Sequence, residues 1–325
     1  MLARRNLWVA AQALVTIVLL ALLARRLDLA ALAALFARLP LWLYLMSLAV
    51  VLGGQVLYAW RWRLLLTAAG VHVPFPTVVR QYFIGIFLNN FLPSTVGGDL
   101  AKVYLLGRER GYRAVTASVL LDRVLGVGVL AVLSALILWA APVPAPVIAL
   151  ARIAVTGVAA MAAIVLGVIA AGTGGLAERV SWMGPRAVTQ AQRLQRLRVD
   201  MAAAVKSPAV LGQAAAVVVG YFLAVGLVYT KFIATQTGHA PPFAMTLGLA
   251  TAASVLSNVP ISLNGLGLRE QLHASLLAPL GVPGEVAVAI SLLFWAHLLV
   301  ASLLGFLFWM RAPALPADVS ASLPT

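Results

Sequence analysis

Apolar runs as long as a bilayer is thick recur along this chain and leave few folds open to it. Six segments qualify: Leu7–Ala24, Leu41–Trp60, Ala114–Ala140, Val147–Ala170, Pro208–Thr230 and Val286–Met310. Each approaches or exceeds the roughly 20 residues that carry a helix through a hydrocarbon core of about 30 Å. Only 10% of the 325 residues are charged and 63% are hydrophobic, whereas a soluble domain averages about 25% charged. An all-α integral membrane protein follows, because a helix satisfies its own backbone hydrogen bonds in lipid. The first run, Leu7–Ala24, is 18 residues long and lacks a small-x-small cleavage site, so it reads as an uncleaved span rather than a signal peptide.

The net charge of +14 comes from short basic clusters between the apolar runs, as loop charges do. No nucleic-acid partner is expected from such a distribution. With no cysteine, thiol catalysis, disulfides and Cys-based metal sites are excluded. His72, His239, His273 and His297 have no metal-ligand spacing and read as packing or interface residues, so no metal and no cofactor are expected. There is no P-loop, dinucleotide fingerprint or nucleophile–base pairing.

Charge also orients the chain. Arg61, Arg63 and Arg80 form one basic segment, and Lys102, Arg108, Arg110 and Arg113 a second. The loop 172–207 carries Arg179, Arg186, Arg193, Arg196, Arg198 and Lys206 against Glu178 and Asp200, while the turn "APVPAP" carries no charge. The positive-inside rule puts the three basic segments and both termini in the cytoplasm of a bacterial inner-membrane protein. Over 186–206, Leu194, Leu197, Met201 and Val205 fall on one helical face among arginines. That pattern predicts an amphipathic helix on anionic inner-leaflet lipid.

Two apolar regions are not simple spans. Phe75–Gly98 is interrupted at Pro76 and Pro93, and Phe243–Leu280 is broken near "SNVPISLNG". Flanking charges put both ends of each region on one side, as in a re-entrant or broken helix; two short full spans would have the same parity. The expected architecture is therefore six full spans plus two such elements, about eight hydrophobic segments in all. The order span, span, re-entrant element, span occurs twice in opposite sense, which is the pattern of an inverted repeat. Its halves are about 1–140 and 147–311 within one transmembrane domain over 1–311, followed by a short flexible cytoplasmic tail, 312–325.

The two breaks, "NNFLPSTVGGDLAK" and "SNVPISLNGLGLRE", share a layout. Asn90, Pro93, Gly97, Gly98 and Asp99 are loosely matched by Asn258, Pro260, Gly265, Gly267 and Glu270. The ionisable residues near the spans are Asp99, Lys102, Asp122, Arg123, Arg269 and Glu270. Such residues face a cavity or pair with one another. Helices restarting near Gly97 and Gly265 would turn free N–H groups toward an anion such as phosphate. Asn89, Ser94, Thr95, Ser262 and Asn264 add polar side chains. Lys102, Arg123 and Arg269 would meet a phosphate, and Asp99 and Glu270 a cationic group or a proton. The competing reading is a set of ion pairs that tie the two halves together.

Taken together, "NNFLPSTVGGDLAKVYLL", "LLDRVLG" and "PISLNGLGLREQL" resemble the lysylphosphatidylglycerol synthase transmembrane domain family, the flippase-like or UPF0104 proteins, over about residues 5 to 310. In bifunctional members, a soluble domain that follows transfers lysine from charged tRNA to phosphatidylglycerol, and the membrane domain moves the lipid across the bilayer. Here 15 residues follow Met310, so the resemblance implies a stand-alone member that is a transporter rather than an enzyme. The expected substrate is a phosphate-bearing lipid, such as an aminoacylated phospholipid or a polyprenyl-linked glycolipid. A separate lipid-synthesising enzyme or a second copy of the chain would be its partners. The alternatives are an ion-coupled small-solute transporter, a membrane-embedded enzyme acting on lipid-linked sugars, or a membrane partner of a separate lipid-modifying enzyme. Asn264 stands where many relatives carry Gly.

Overall fold

The computed structural model describes residues 14–18, 21, 22, 25, 28–91, 97–140, 145–171, 182, 184–259 and 262–311. Most of the expected first span, the turn 141–144, the first part of the loop 172–207, the tail 312–325, and Pro93, Ser94, Thr95 and Pro260 lie outside the described residues. The helices are α1 (Leu29–Ala37), α2 (Leu41–Ala68), α3 (Phe75–Phe91), α4 (Gly97–Arg110), α5 (Tyr112–Ala140) and α6 (Pro146–Ala171), followed by α7 (Pro185–Val205), α8 (Pro208–Thr237), α9 (Phe243–Leu256), α10 (Leu268–Leu277) and α11 (Gly284–Met310). Five of them, α2, α5, α6, α8 and α11, are long and apolar enough to cross a membrane, and α9 is a shorter apolar helix. The protein is an all-α, multi-span membrane protein.

Local chemistry sets the helix ends. Asp28 caps α1, its Oδ1 accepting from Ala30 N at 2.9 Å and Ala31 N at 3.1 Å. Ser207 caps α8, and Gly238, at φ 73°, ends it in the left-handed conformation that glycine adopts without penalty. Pro76 does not interrupt its region as expected: it sits in the first turn of α3, where no intrahelical hydrogen bond is lost. The second expected end also moves. Hydropathy falls at Trp60, yet α2 continues to Ala68. Arg61 is therefore not a loop charge but a buried helical residue.

Three apolar clusters hold the bundle. The largest joins α2, α5, α6, α8, α9, α10 and α11 through residues such as Leu138, Phe232, Leu249 and Ile290. A second gathers Trp62, Val71, Val78, Leu106 and Val115, so the end of α2, the start of α3, the end of α4 and the start of α5 share one face. We call this the basic face, since Arg63, Arg80, Arg108 and Arg113 lie near these helix ends. Helices α3 and α4 thus form a hairpin that opens and closes there. Met245 of α9 and Leu276 and Leu277 of α10 instead cluster with Ile233, near the end of α8, and Val286, near the start of α11. The hairpin α9–α10 therefore opens and closes at the opposite face. Helix α3 packs most extensively on α11, and α9 on α5. Both contacts are close: a Cβ on Gly305 would meet the carbonyl of Phe83, and one on Gly248 would lie 2.6 Å from Ile137 Cγ2.

Helix α7 is amphipathic, and the C-terminal part of its apolar stripe packs on the bundle. Met201, Ala204 and Val205 pack against Leu65, Leu121 and Ala214, the ends of α2, α5 and α8. Arg113 Nε bonds Asp200 Oδ2 at 2.7 Å and ties α7 to the start of α5. Leu194 and Val199 remain exposed.

Candidate functional site

Polar groups of the first hairpin and its neighbours converge on a cavity of about 280 Å³ lined by Tyr58, Arg61, Tyr82, Asn89, Asp99, Lys102, Asp122, Arg123, Ser254 and Asn258, with Gly126 and Phe222 among the rest of its wall. Its floor is built by close backbone packing. Gly98, at the start of α4, lies against the backbone of Gly85 in α3, and Gly98 N donates to Asn89 Oδ1 at 2.6 Å. The absence of a side chain at Gly85 also leaves room for the Lys102 stem, whose Cε would lie 2.9 Å from a Cβ there.

Five charged groups face this space. Arg61 holds Asp122 with two hydrogen bonds, Nε to Oδ1 at 2.8 Å and Nη2 to Oδ2 at 3.0 Å. Gly126 makes room for that guanidinium, which would lie 3.0 Å from a Cβ at this position. Arg61 also stacks over Tyr58, 4.7 Å from the ring centroid. Asp99 is shared: Arg123 Nη2 meets Oδ2 at 2.7 Å, and Lys102 Nζ meets Oδ1 at 3.4 Å. Lys102 is 8% exposed. Its ammonium lies 4.1 Å from the Tyr82 ring and 5.4 Å from that of Trp62. Three cations against two carboxylates leave a formal charge of +1 on the cavity.

The second break builds a different, closed network. Glu270, 1% exposed, accepts Gly267 N on Oε2 at 2.7 Å, and Arg269 Nη2 at 2.7 Å and Ser291 Oγ at 3.2 Å on Oε1. His273 Nδ1 lies 2.7 Å from Arg269 O, a carbonyl that can only accept, so Nδ1 carries the proton and Nε2 accepts from the Tyr229 hydroxyl at 2.8 Å. Helix α10 starts at Leu268, capped by Gly267, while Gly265 belongs to a 3-10 turn, Leu263–Gly265. At each of the two helix starts the protein itself takes one N–H. Asn89 occupies the N–H of Gly98, and Glu270 that of Gly267. Protein cations already pair with both Asp99 and Glu270.

The two breaks touch. Asn264 Nδ2 donates to Asn90 Oδ1 at 2.8 Å, across 174 positions of sequence. Asp99, Lys102, Asp122 and Arg123 pair among α2, α4 and α5, and Arg269 pairs with its neighbour Glu270. Asn258 reaches the cavity rim while its Nδ2 bonds Ser254 O at 2.8 Å. Ser262 Oγ is buried with no hydrogen-bond partner among the described residues. Gly97 is buried at the head of α4.

Asn264 has φ 50°, the one left-handed non-glycine among the described residues. Asparagine tolerates this region better than other side chains, and glycine tolerates it fully. Asn264→Gly is expected to change stability by less than about 1 kcal/mol, since relief of strain offsets one lost hydrogen bond. Asn264→Val loses both and is expected to cost about 1–3 kcal/mol in detergent unfolding. Equal melting of the two variants would refute this account of the turn.

Sequence reasoning missed Arg61, Tyr58, Tyr82, Tyr229 and Ser291. Tyr58 and Arg61 are three apart on α2, the spacing of one helical face, and that was the available signal. Among the described residues no group of His, Asp and Glu could hold a metal ion. His297 is buried, with Nε2 2.7 Å from Ser47 Oγ.

These features define a multi-span α-helical membrane protein with a charged cavity between a broken helix and its neighbours. Residues 9–312 match the family described as the lysylphosphatidylglycerol synthase TM region, and the chain belongs to that family. It is 26% identical over 277 residues to a UPF0104 membrane protein of Methanothermobacter thermautotrophicus, covering 76% of this chain and 77% of the relative. It is 38% identical over 76 residues to a UPF0104 membrane protein of Pyrococcus horikoshii, 22% of this chain and 23% of that one.

Proposed function

We propose that the protein is a lipid translocase of the flippase type in the cytoplasmic, or inner, membrane, passing a phosphate-bearing headgroup through the cavity while the acyl or prenyl tails stay in the bilayer. Family membership and the multi-span architecture support a general lipid-transport role of this kind. The observation that carries the reading is the cavity itself. Lys102, Arg61 and Arg123 converge inside a chain of membrane-spanning helices. Ionisable groups at such depth are costly and persist where they line a path. The site residues are those of the cavity together with the touching tips of the two hairpins, Asn90 and Asn264. Ser94, Thr95, Pro93 and Pro260 belong to the proposed path by sequence position.

The same reading assigns the halves an inverted-repeat relationship, α2–α5 against α8–α11, within about eight hydrophobic segments. Three observations support it: the hairpins open at opposite faces, α3 packs on α11 as α9 packs on α5, and α2 packs on α8 between them. The basic face, with α7, would be cytoplasmic, where Arg193 and Arg196 meet anionic headgroups. The protein acts as a transporter without a catalytic centre; a separate synthase would supply its lipid.

Liposomes carrying labelled phospholipid test this. Wild-type protein is expected to equilibrate the label between leaflets, with Asp99→Ala and Lys102→Ala slowed at least tenfold. Equal rates for wild type, variants and empty liposomes would falsify the proposal. Uptake of a soluble solute driven by an ion gradient would favour a small-solute carrier instead.

A further inference from the structure

The charge arrangement of the cavity narrows the headgroup it accepts. A headgroup that carries an ammonium needs a carboxylate or an unshared acceptor to receive it once it leaves water. The cavity has two carboxylates, and both are engaged. Asp122 places each of its oxygens on Arg61, at 2.8 and 3.0 Å. Asp99 places one oxygen on Arg123 and the other on Lys102. Glu270, the nearest acid of the second hairpin, has both oxygens filled by Arg269, Ser291 and Gly267 N.

The donors are in the opposite condition. An ammonium has three N–H donors, and Lys102 makes one hydrogen bond among the described residues, the 3.4 Å contact with Asp99. Its other neighbours are the ring faces of Tyr82 and Trp62, which attract the charge but offer no oxygen. The stem is confined between Gly85 and those rings, so the ammonium is held in place rather than free to fold back. Arg123 stands beside it on the same carboxylate, half exposed. An entering phosphate oxygen would complete the ammonium's hydrogen bonds and balance the formal +1; an entering amine would add to it.

Resting on the translocase reading, we propose that this cavity selects lipids whose headgroup is net negative, a phosphate ester with no compensating amine, and disfavours aminoacylated phospholipids. Lysylated phosphatidylglycerol, with one phosphate and two amines, is net positive and would add to the formal +1 of the cavity instead of balancing it.

The experiment is direct binding to the full-length protein in neutral detergent, with three short-chain probes: phosphatidate, phosphatidylcholine and lysyl-phosphatidylglycerol. Affinity is expected to fall in that order, at least tenfold from first to last. Lys102→Gln should weaken phosphatidate about tenfold and phosphatidylcholine, whose phosphate is singly charged and offset by its own cation, by much less. Arg123→Gln, at a half-exposed position that tolerates change, should move in the same direction and guards against a folding defect at Lys102. Lysyl-phosphatidylglycerol binding as tightly as phosphatidate, or phosphatidate binding that ignores both substitutions, would overturn the inference. Liposome assays of the same three headgroups separate the two readings. Transport of the lysylated lipid at the anionic rate removes the selectivity and keeps the translocase. Selective binding of phosphatidate with no lipid moved removes the translocase and keeps an anionic-lipid site.

Discussion

Asp122→Ala is expected to leave little folded protein. It strips the partner from Arg61, whose guanidinium is buried in the helix bundle and pairs with Asp122 alone among the described carboxylates. Breaking a buried pair from one side costs about 3–5 kcal/mol, a large part of the stability of an ordinary domain, about 5–15 kcal/mol. Removing both members is a different matter. A double variant, Arg61→Met with Asp122→Leu, keeps the volume without the charge and should recover most of the loss. Thermal melting in detergent of the single and double variants checks this. A double variant no more stable than Asp122→Ala would show that the pair does more than neutralise itself, and that Tyr58 and Gly126 depend on the guanidinium for their packing.

Gly98→Ala is the second large effect. The added methyl would overlap the carbonyl of Gly85, and backbone cannot step aside as a flexible side chain can. Overpacking of this kind costs about 1–3 kcal/mol, occasionally more. The damage should be local: the α3–α4 crossing opens, and with it the Asn89 bond to Gly98 N and the placement of Asp99 and Lys102. Lipid movement is therefore expected to fall by at least an order of magnitude while the bundle still melts cooperatively. Gly53→Ala is the control, because a Cβ there meets nothing within 4 Å. Full activity in Gly98→Ala would contradict the crossing as drawn.

Much of this was legible in the sequence for a physical reason. Lipid cannot satisfy stray backbone groups, so apolar length marks α5, α6 and α11 within a few residues and the start of α8, which runs seven residues past its expected end, and clustered Pro, Gly and Asn mark both breaks. Where the sequence misled, composition and geometry part company. Arg61 reads as a loop charge because hydropathy averages over windows, whereas a helix end follows backbone hydrogen bonding and a long side chain can find a carboxylate on a neighbouring helix. Partner choice was also hidden. Nothing in the order of residues says that Asp99 meets Arg123 rather than Arg269, or that two asparagines instead of an ion pair join the hairpin tips. Those are tertiary facts, set by where α4 and α5 lie side by side. The stripe on α7 was read correctly as amphipathic, but the sequence did not show that its Met201 and Val205 end packs on the ends of α2, α5 and α8.

The central claim is that a headgroup passes between the two hairpins, and the contact between Asn90 and Asn264 tests it most directly. The chain has no cysteine, so Asn90→Cys with Asn264→Cys can be joined by a short bifunctional thiol reagent without side reactions. In liposomes, transbilayer movement of labelled phosphatidylglycerol should continue before cross-linking, stop after it, and return when a cleavable linker is cut. Movement that persists at the original rate with the tips joined would contradict the account.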